Sequence, residues 1–203
     1  MKSVNLDGKE IFPSKIICIG RNYVAHIREL GNEVPEEPVI FIKPNSAISA
    51  DIHSNEFDEI HFEGELCIMI QSGGVAAVGF GLDLTKRQLQ SSLKAKGLPW
   101  ERSKAFDGAA VFSEFVTFTG QVNDLKLELH INERLVQRGG CDLMLYKPDE
   151  IIAEVESFLS LENGDLIMTG TPAGVGPVHA GDLFTGRIFE NEELITEASW
   201  VVQ

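Results

Sequence analysis

His61-Phe62-Glu63-Gly64-Glu65-Leu66-Cys67-Ile68-Met69-Ile70 is the stretch around which the rest of the sequence is organised. Its polar and apolar residues alternate as in a β-strand, where side chains two positions apart share a face. The apolar face, which is expected to join the core, carries Phe62, Leu66, Ile68 and Ile70. The opposite face, a candidate site, carries His61, Glu63, Glu65, Cys67 and Met69.

The two glutamates of this strand indicate a cation site. Residues two apart on a strand lie roughly 6–7 Å from each other, so Glu63 and Glu65 repel each other unless a positive charge lies between them. Carboxylate oxygens suit Mg²⁺, Mn²⁺ or Ca²⁺ better than zinc. The alternative is a polar strand face exposed to water, which is the commoner meaning of a Glu-x-Glu pattern taken alone.

The composition predicts an ordinary soluble, globular protein. Its 203 residues, 43% of them hydrophobic, suffice for one sizeable core. We expect an N-terminal extension over residues 1–14 and a single domain over residues 15–203. The net charge of −14 disfavours nucleic acid and anionic membranes as partners.

The cysteines and the N-terminus predict a cytoplasmic protein. The three cysteines are far apart in the sequence and lack paired spacing, which indicates neither a disulfide framework nor a zinc site. Residues 1–13 contain no apolar run of the signal-peptide type, and no stretch approaches the ~20 apolar residues of a membrane span.

A short helix is predicted over residues 21–31, because Tyr23, Ile27 and Leu30 have helical spacing and Gly31 is a typical C-terminal residue. His26 and Glu29 are three residues apart, so they share a face and could transfer protons. An incidental surface ion pair is the commoner meaning of such spacing. The proline-bounded loop over residues 32–38 makes this helix a candidate lid.

A third carboxylate is predicted near the glutamates. The apolar run over residues 76–84 reads as a strand that ends in Asp83, and ligand groups often lie where backbone leaves a sheet. A polar residue that simply ends a strand is the alternative. Residues 85–88 have the capping-box pattern, which predicts a helix that begins at Thr85 and continues to Gly97.

Other stretches give local expectations. Residues 45–58 are expected to form an irregular connection, and residues 98–107 a loop whose Lys104 neutralises a carboxylate or an anionic substrate. A helix is predicted over residues 148–159 with Phe158 among its core residues. The glycine-rich loop over residues 170–177 is no P-loop, because no Lys-Ser/Thr and no helix follow it; its N–H groups and the Thr171 hydroxyl could bind a carboxylate.

The order of these motifs resembles the fumarylacetoacetate hydrolase superfamily, with the acylpyruvate hydrolase (acylpyruvase) and oxaloacetate decarboxylase branch the most similar. The motifs are Gly20-Arg21-Asn22-Tyr23 with His26 and Glu29, Glu63-x-Glu65, Leu82-Asp83-Leu84-Thr85, Gly97-Leu98-Pro99-Trp100, Lys104, and Thr169-Gly170-Thr171-Pro172-x-Gly174-Val175-Gly176. The resemblance implies a mixed α+β fold that is predominantly β, a β-sandwich roll with a few short helices, and a homodimer.

The resemblance also implies roles for individual residues. By position, Mg²⁺ or Mn²⁺ would be held by Glu63, Glu65 and Asp83, with Lys104 beside the metal. His26 and Glu29 would form a catalytic pair on a lid helix. Arg21, Gln90 and Thr171 would surround the substrate. Between Met69 and Gly79 this chain has only a short turn where relatives have a longer connection, either because the loop is trimmed or because residues are missing from the sequence, and this bears most on the register of Asp83.

The activity implied is metal-dependent cleavage of a carbon–carbon bond in acylpyruvate-type β-diketo acids, such as an acylpyruvate or fumarylpyruvate, to pyruvate and a carboxylic acid. In this hypothesis His26, oriented by Glu29, activates a water, and the same site also serves for decarboxylation of oxaloacetate. The expected partner is a small anionic 2-oxo acid. The alternatives are a decarboxylase/isomerase of aromatic-compound catabolism and a catalytically silent metal-binding member of the family.

Overall fold

The computed structural model describes residues 1–55 and 58–203. Its helices are α1 (Val24–Glu29), α2 (Arg87–Ala95), α3 (Glu101–Lys104) and α4 (Pro148–Glu156), with 3-10 turns at Asn45–Ala47, Val122–Asp124 and Cys141–Leu143. Its strands are β1 (Val4–Leu6), β2 (Lys9–Ile11), β3 (Lys15–Gly20), β4 (Val39–Pro44), β5 (Ile48–Ser49), β6 (Ile60–Phe62), β7 (Gly64–Gln71), β8 (Gly74–Asp83), β9 (Thr85–Lys86), β10 (Ala110–Phe112), β11 (Val116–Thr117), β12 (Leu125–Ile131), β13 (Arg134–Gly140), β14 (Leu166–Met168), β15 (Gly176–Pro177), β16 (Leu183–Glu190) and β17 (Glu193–Val201). No helix of these described ranges is long and apolar enough to cross a membrane.

Most of the ordered backbone is β-structure. An eight-stranded sheet has the order β4-β3-β14-β7-β8-β10-β5, with β11 also paired to β8. A four-stranded sheet has the order β13-β12-β16-β17, and β15-β6-β9 and β1-β2 form two small sheets. Strands hold 43% of the residues and helices 18%, so the predicted, predominantly β fold is confirmed.

The stretch over residues 61–70 forms two strands rather than one. β6 pairs with β15 and β9, whereas β7 lies between β14 and β8 in the large sheet. Glu63 is the single residue between them. The chain therefore changes sheets at Glu63, which the alternating pattern alone does not reveal.

Both faces of β7 are buried. Leu66, Ile68 and Ile70 belong to the larger core cluster, as the alternation predicts. Cys67 and Met69 belong to a second cluster on the other face. The prediction that these two residues face the site is therefore wrong, because core side chains cover both faces of β7. Only the residues at the start of β7 remain available to form the site. His61 also lies away from the site and contacts Glu59, with 2.8 Å between Nε2 and Oε1.

The four-stranded sheet packs against the large sheet around the larger core cluster. Phe80 of β8 lies 6.2 Å from Trp200 of β17, centroid to centroid, and Phe62 lies 5.2 Å from Phe184 in an edge-on contact. Burial of one such side chain stabilises the fold by about 1.5–3 kcal/mol. These contacts fix the relative position of the sheets that carry the polar residues described below.

The short connection between β7 and β8 closes a hairpin whose register shifts by one residue between Met69 and Ile70. Ser72 and Gly73 both have positive φ, 53° and 76°, as a two-residue type I′ turn requires. The pairing that follows sets Glu65 opposite Gly81. A Cβ at Gly81 would lie 2.5 Å from Cys67 Sγ, so this position requires glycine. The prediction that the next strand ends at Asp83 is confirmed.

The predicted capping box at Thr85 is wrong. Thr85 lies in β9, and α2 begins at Arg87 with Lys86 as the N-cap residue and no side-chain cap. The Thr85 hydroxyl is engaged elsewhere: it donates to the Asp83 carbonyl at 3.2 Å and accepts from Lys104 Nζ at 2.6 Å. The helix itself was correctly expected, since α2 runs to Ala95.

Three further expectations need adjustment. The predicted loop over residues 98–107 contains α3, so Lys104 is the last residue of a helical turn. The helix predicted over residues 148–159 ends at Glu156, and the Phe158 side chain is 60% exposed because a tighter turn, closed by its N–H on the Val155 carbonyl, follows the helix. The predicted irregular connection over residues 45–58 includes β5, and its residues 56 and 57 lie outside the described residues.

Candidate active site and metal centre

Three carboxylates meet where β7 begins and β8 ends. Glu63, Glu65 and Asp83 each offer an oxygen atom, and these atoms lie within 4.8 Å of one another. The three residues are buried, with exposed fractions of 6%, 2% and 1%. The Asp83 N–H also donates to the Glu63 carbonyl at 2.9 Å, which joins the two strand ends. The sequence predicted this grouping; its role in metal binding stays a prediction.

Lys104 lies among these acids. Its Nζ is 2.9 Å from Glu63 Oε2 and 2.7 Å from Asp83 Oδ2, and only 2% of the residue is exposed. Two further cations approach from the outside of the cluster. Arg87 Nη2 donates to Glu63 Oε1, and Lys43 Nζ lies 2.9 Å from Asp83 Oδ1. Three cations therefore balance three acids in the protein alone.

The charges of the cluster shift its pKa values in opposite directions. Burial disfavours the charged form of Glu63, but Lys104 and Arg87 outweigh it and hold the pKa of Glu63 below its usual range. Burial, reinforced by the other two carboxylates, raises the pKa of Glu65 well above its usual value. Burial also opposes the charge of Lys104, yet the neighbouring acids raise its pKa. Glu65 is thus the acid that most lacks a positive partner.

The donor set fits a hard divalent cation. The three groups supply only oxygen atoms, the kind that Mg²⁺ and Mn²⁺ prefer. Asp83 Oδ1 is buried and accepts no hydrogen bond, because the nearby Lys43 ammonium is not aligned with it. Within the described part of the chain, the Glu65 carboxylate accepts one hydrogen bond, at 2.7 Å from the Gly170 N–H. A cation would satisfy both under-coordinated carboxylates.

The predicted lid helix brings His26 and Glu29 to the same site. His26 Nδ1 lies 3.1 Å from Glu29 Oε2, and the Gly174 N–H donates to Glu29 Oε1 at 3.0 Å. His26 is 6% exposed and lines the cleft above Glu63. This burial argues against an incidental surface ion pair. A carboxylate on Nδ1–H fixes the tautomer in which Nε2 is the proton acceptor.

The glycine-rich loop binds carboxylates, and both belong to the protein itself. Its Gly174 N–H holds Glu29 and its Gly170 N–H holds Glu65. The Thr171 hydroxyl donates to the Gly64 carbonyl at 2.9 Å, between the two glutamates of the triad. The loop therefore connects the lid helix to the acid cluster.

The remaining predicted site residues line one narrow cleft of about 40 Å³ beneath α1. Arg21, Gln90 and Thr171 all face it, together with Lys104. Gln90 is buried, and its Oε1 accepts a hydrogen bond of 2.8 Å from Arg87 Nη1. The structure thus brings every residue predicted for the site to one place, while the individual roles stay predictions.

Comparison with known proteins identifies the family of this chain. Residues 15–198 match the family described as Fumarylacetoacetate (FAA) hydrolase C-terminal. The chain belongs to the fumarylacetoacetate hydrolase family. The resemblance drawn from the sequence motifs is confirmed at this level, and the matched range contains all the residues of the acid cluster and of the lid.

Named relatives of this family are similar over nearly their whole length. The Oxaloacetate tautomerase YcgM of Escherichia coli (strain K12) is 39% identical over 90% of this chain and 91% of that protein. The mitochondrial Oxaloacetate decarboxylase of Dictyostelium discoideum is 37% identical, over 83% of this chain and 86% of its own. The crystal structure of fumarylpyruvate hydrolase from Pseudomonas aeruginosa in complex with Mn²⁺ and pyruvate superimposes with a TM-score of 0.90 at 30% identity, covering 99% of this chain and 95% of that one.

Three residues that contact the acids or the glycine-rich loop of the site were not predicted from the sequence. Lys43 and Arg87 contact the acids, and the Gln137 side chain accepts from the Gly64 N–H at 2.9 Å while donating to Thr171 Oγ1 at 2.8 Å. A lysine within the apolar run of β4 was a signal for the first. Arg87, four residues after Asp83, was a weaker signal. Nothing local distinguishes Gln137 in its alternating strand.

Proposed function

We propose that the protein is a divalent-cation-dependent enzyme that acts on small 2-oxo acids, with the interconversion of keto and enol oxaloacetate as its reaction. The observation that carries this proposal is the His26–Glu29 pair, whose histidine is buried and lines the same cleft as Glu63 and Glu65 of the acid triad. The names of relatives such as the Escherichia coli Oxaloacetate tautomerase support it. Proton transfer needs only a base near C3 and a site for the keto oxygen.

Glu63, Glu65 and Asp83 would hold Mg²⁺ or Mn²⁺ in this proposal. The presence of Mn²⁺ in the fumarylpyruvate hydrolase structure supports a metal of this kind. When bound, the cation supplies Lewis-acid polarisation of the carboxylate and keto oxygens of the substrate. Lys104 remains beside the acids and adds positive charge where negative charge develops on the substrate.

The chain's own proton-transfer group is His26. Its Nε2 removes a proton from C3 of the 2-oxo acid, and the same proton returns to the keto oxygen to give the enol; the reverse reaction uses the same atoms. Glu29 keeps the ring in the required tautomer and stabilises it when it is protonated. Gly174 fixes Glu29 in turn, so lid position and base orientation are set together.

A second candidate is hydrolysis of an acylpyruvate or fumarylpyruvate, which the name of the Pseudomonas aeruginosa structure supports. In this reaction His26 takes a proton from water, and the hydroxide oxygen bonds to the distal carbonyl carbon. The bond from that carbon to C3 then breaks. Its electron pair remains on C3, which is protonated to give pyruvate, and the other fragment leaves as a carboxylic acid.

A turnover screen tests both reactions. Purified protein with Mg²⁺ or Mn²⁺ is incubated with oxaloacetate, acetylpyruvate and fumarylpyruvate, and the enol absorbance and pyruvate release are followed. We expect acceleration that EDTA abolishes and that His26→Ala reduces. A parent protein that accelerates none of these reactions with either metal would overturn the proposal and favour a catalytically silent family member.

We also propose that residues 15–203 form the catalytic domain, that residues 1–14 are an extension, and that the protein is a cytoplasmic homodimer. Its three cysteines are buried free thiols, which supports a reducing compartment. Light scattering on the purified protein would establish the oligomeric state.

A further inference from the structure

Two positive side chains in the cleft beneath α1 have no acidic partner. Four cations line this cleft, and two of them, Arg87 and Lys104, are engaged by Glu63 and its neighbours. The other two, Arg21 and Lys94, form no ion pair with any residue in the described part of the chain. The protein as a whole carries a net charge of −14, so unpaired cations side by side in a pocket require an explanation.

Arg21 is held in an uncommon backbone conformation. Its φ is 56°, in the left-handed region that residues other than glycine rarely adopt. The next residue is fixed, because the Asn22 side chain donates to the Tyr146 carbonyl at 3.0 Å and to the Thr169 carbonyl at 2.8 Å. Arg21 Nε is buried and has no hydrogen-bond partner within residues 1–55 and 58–203. The backbone thus keeps a guanidinium with an unsatisfied Nε at the cleft.

Lys94 reaches the same cleft from α2. It lies four residues after Gln90 and seven after Arg87, so all three share the helix face that lines the cleft. Lys94 and Arg21 line the same cleft, and burial together with the guanidinium groups of Arg21 and Arg87 lowers the pKa of Lys94. A bound anion would relieve this repulsion.

An aromatic pair separates Lys94 from the acid cluster. The Lys94 Nζ lies 5.2 Å above the Trp100 ring, and the Lys104 Nζ lies 5.1 Å above the Phe41 ring. The two rings are 6.0 Å apart, centroid to centroid. The Lys104 ammonium group therefore belongs to the acid cluster, whereas the Lys94 ammonium group lies on the Trp100 ring and takes no part in the ion pairs of that cluster.

We propose that Lys94 and Arg21 form a subsite for a second carboxylate, so that the substrate is a dicarboxylate 2-oxo acid rather than a monocarboxylate acylpyruvate. This inference rests on the proposed function, in which the 2-oxo carboxylate end of the substrate lies at the acid cluster. A distal carboxylate would pair with both cations. An apolar acyl group would instead remove two partly exposed charges from water without pairing them, which disfavours its binding.

A neighbouring cavity favours the opposite specificity as the alternative. It has a volume of about 340 Å³ and is lined by residues 39–42 of β4, by Trp100, and by the charged residues Glu101 and Lys104. It shares Phe41, Trp100 and Lys104 with the cleft. Displacement of these rings would open it to an acyl chain, so the experiment must compare substrates with and without the second carboxylate.

The test replaces Lys94 by Met and uses Lys96→Met as the matched control, because Lys96 carries the same charge just after the same helix but is exposed. Steady-state kinetics with oxaloacetate, fumarylpyruvate and acetylpyruvate are measured in the presence of Mg²⁺. We expect Lys94→Met to raise KM for the dicarboxylates about 10- to 100-fold, with kcat little changed, through loss of a charged hydrogen bond. Lys94→Met should leave the kinetics with acetylpyruvate unchanged, and Lys96→Met should leave the kinetics with all three substrates unchanged. Lys94→Arg should restore part of the affinity for the dicarboxylates.

A binding measurement separates this inference from the proposed reaction. Malate and lactate differ by a distal carboxylate and are inert to enolisation, so each is titrated calorimetrically into the Mg²⁺-loaded parent and the variants. Lys94→Met should weaken malate and leave lactate unchanged. An equal loss for both ligands, or a parent that prefers acetylpyruvate to the dicarboxylates, would overturn the subsite. A parent that binds malate in a Lys94-dependent way but turns over no 2-oxo acid would overturn only the proposed function.

Discussion

Replacement of Lys43 by Met should destabilise the protein strongly. Lys43 is completely buried in β4, and its Nζ lies 2.9 Å from Asp83 Oδ1. The ammonium group also donates to the Lys104 carbonyl and, at 3.5 Å, to the Leu84 carbonyl. Methionine has a similar length but no charge, so the substitution leaves Asp83 buried with Lys104 as its one remaining cation.

Loss of one partner from a buried ion pair costs about 3–5 kcal/mol. Lys104 still contacts Asp83 Oδ2 at 2.7 Å, so we expect the lower end of this range, about 3 kcal/mol. For a chain of this length, each kcal/mol lowers Tm by about 2–4 °C. The expected decrease in Tm is therefore about 6–12 °C.

Thermal denaturation followed by circular dichroism in EDTA measures this change. Lys126→Met is the control, because Lys126 is 39% exposed and lies 3.8 Å from an almost fully exposed Glu192; such pairs contribute about 0–1 kcal/mol. Asp83→Asn added to Lys43→Met should recover part of the loss by removing the uncompensated charge. A Lys43→Met protein that melts within 1–2 °C of the parent, about the smallest step expected per kcal/mol, would refute the reasoning.

Four further predictions concern the metal, the base, pH and the lid. Glu65→Ala should lose tight Mg²⁺ binding in calorimetry, and unchanged binding would contradict the triad. His26→Ala or Glu29→Ala should lower turnover by ~10²–10⁴-fold with metal affinity nearly unchanged; equal losses would indicate a structural or ligating role. Burial and neighbouring acids raise the pKa of Glu65, so its contribution to the stability of the metal-free protein is lost as pH rises through that pKa. Mg²⁺ affinity should increase over the same pH range, because binding releases the proton of Glu65. Calorimetry in buffers of different ionisation enthalpy should detect this proton release in the parent and not in Glu65→Gln. Hydrogen exchange over residues 21–38 should slow on addition of Mg²⁺ and oxalate, whereas full protection without ligand would exclude a lid.

Local sequence patterns predicted the elements that depend on short-range physics. The strand β7 with its core face, the end of β8 at Asp83 and the helix that pairs His26 with Glu29 are set by neighbouring side chains, and all three are present. The grouping of the three acids followed because Glu63 and Glu65 flank Gly64 at the start of β7 and Asp83 ends the next strand. The resemblance to the family supplied Arg21 and Gln90, which have no local pattern of their own, whereas Thr171 was also suggested by its glycine-rich loop.

Long-range contacts account for what the sequence did not reveal. Lys43, Arg87 and Gln137 reach the site from β4, α2 and β13, and their partners are 24 to 73 positions away in sequence. The change of sheet at Glu63 depends on the pairing of β6 with β9 and β15, which no alternation encodes. Thr85 was assigned to a helix cap because its motif fits, but a buried lysine competes for its hydroxyl.

The position of Glu63 between β6 and β7 has a mechanical consequence. Glu63 is the covalent joint between the small sheet and the eight-stranded sheet, and Asp83 ends β8 in the same large sheet just before β9 of the small one. A cation bound by both residues would link the two sheets at this position. By mass action it would add about 2.7 kcal/mol to the stability of the folded state at a free concentration 100 times its Kd. Resistance to proteolysis would then increase with the free Mg²⁺ or Mn²⁺ concentration. The rate at which the protein is degraded in a cell would depend on the metal supply as well as on the substrate.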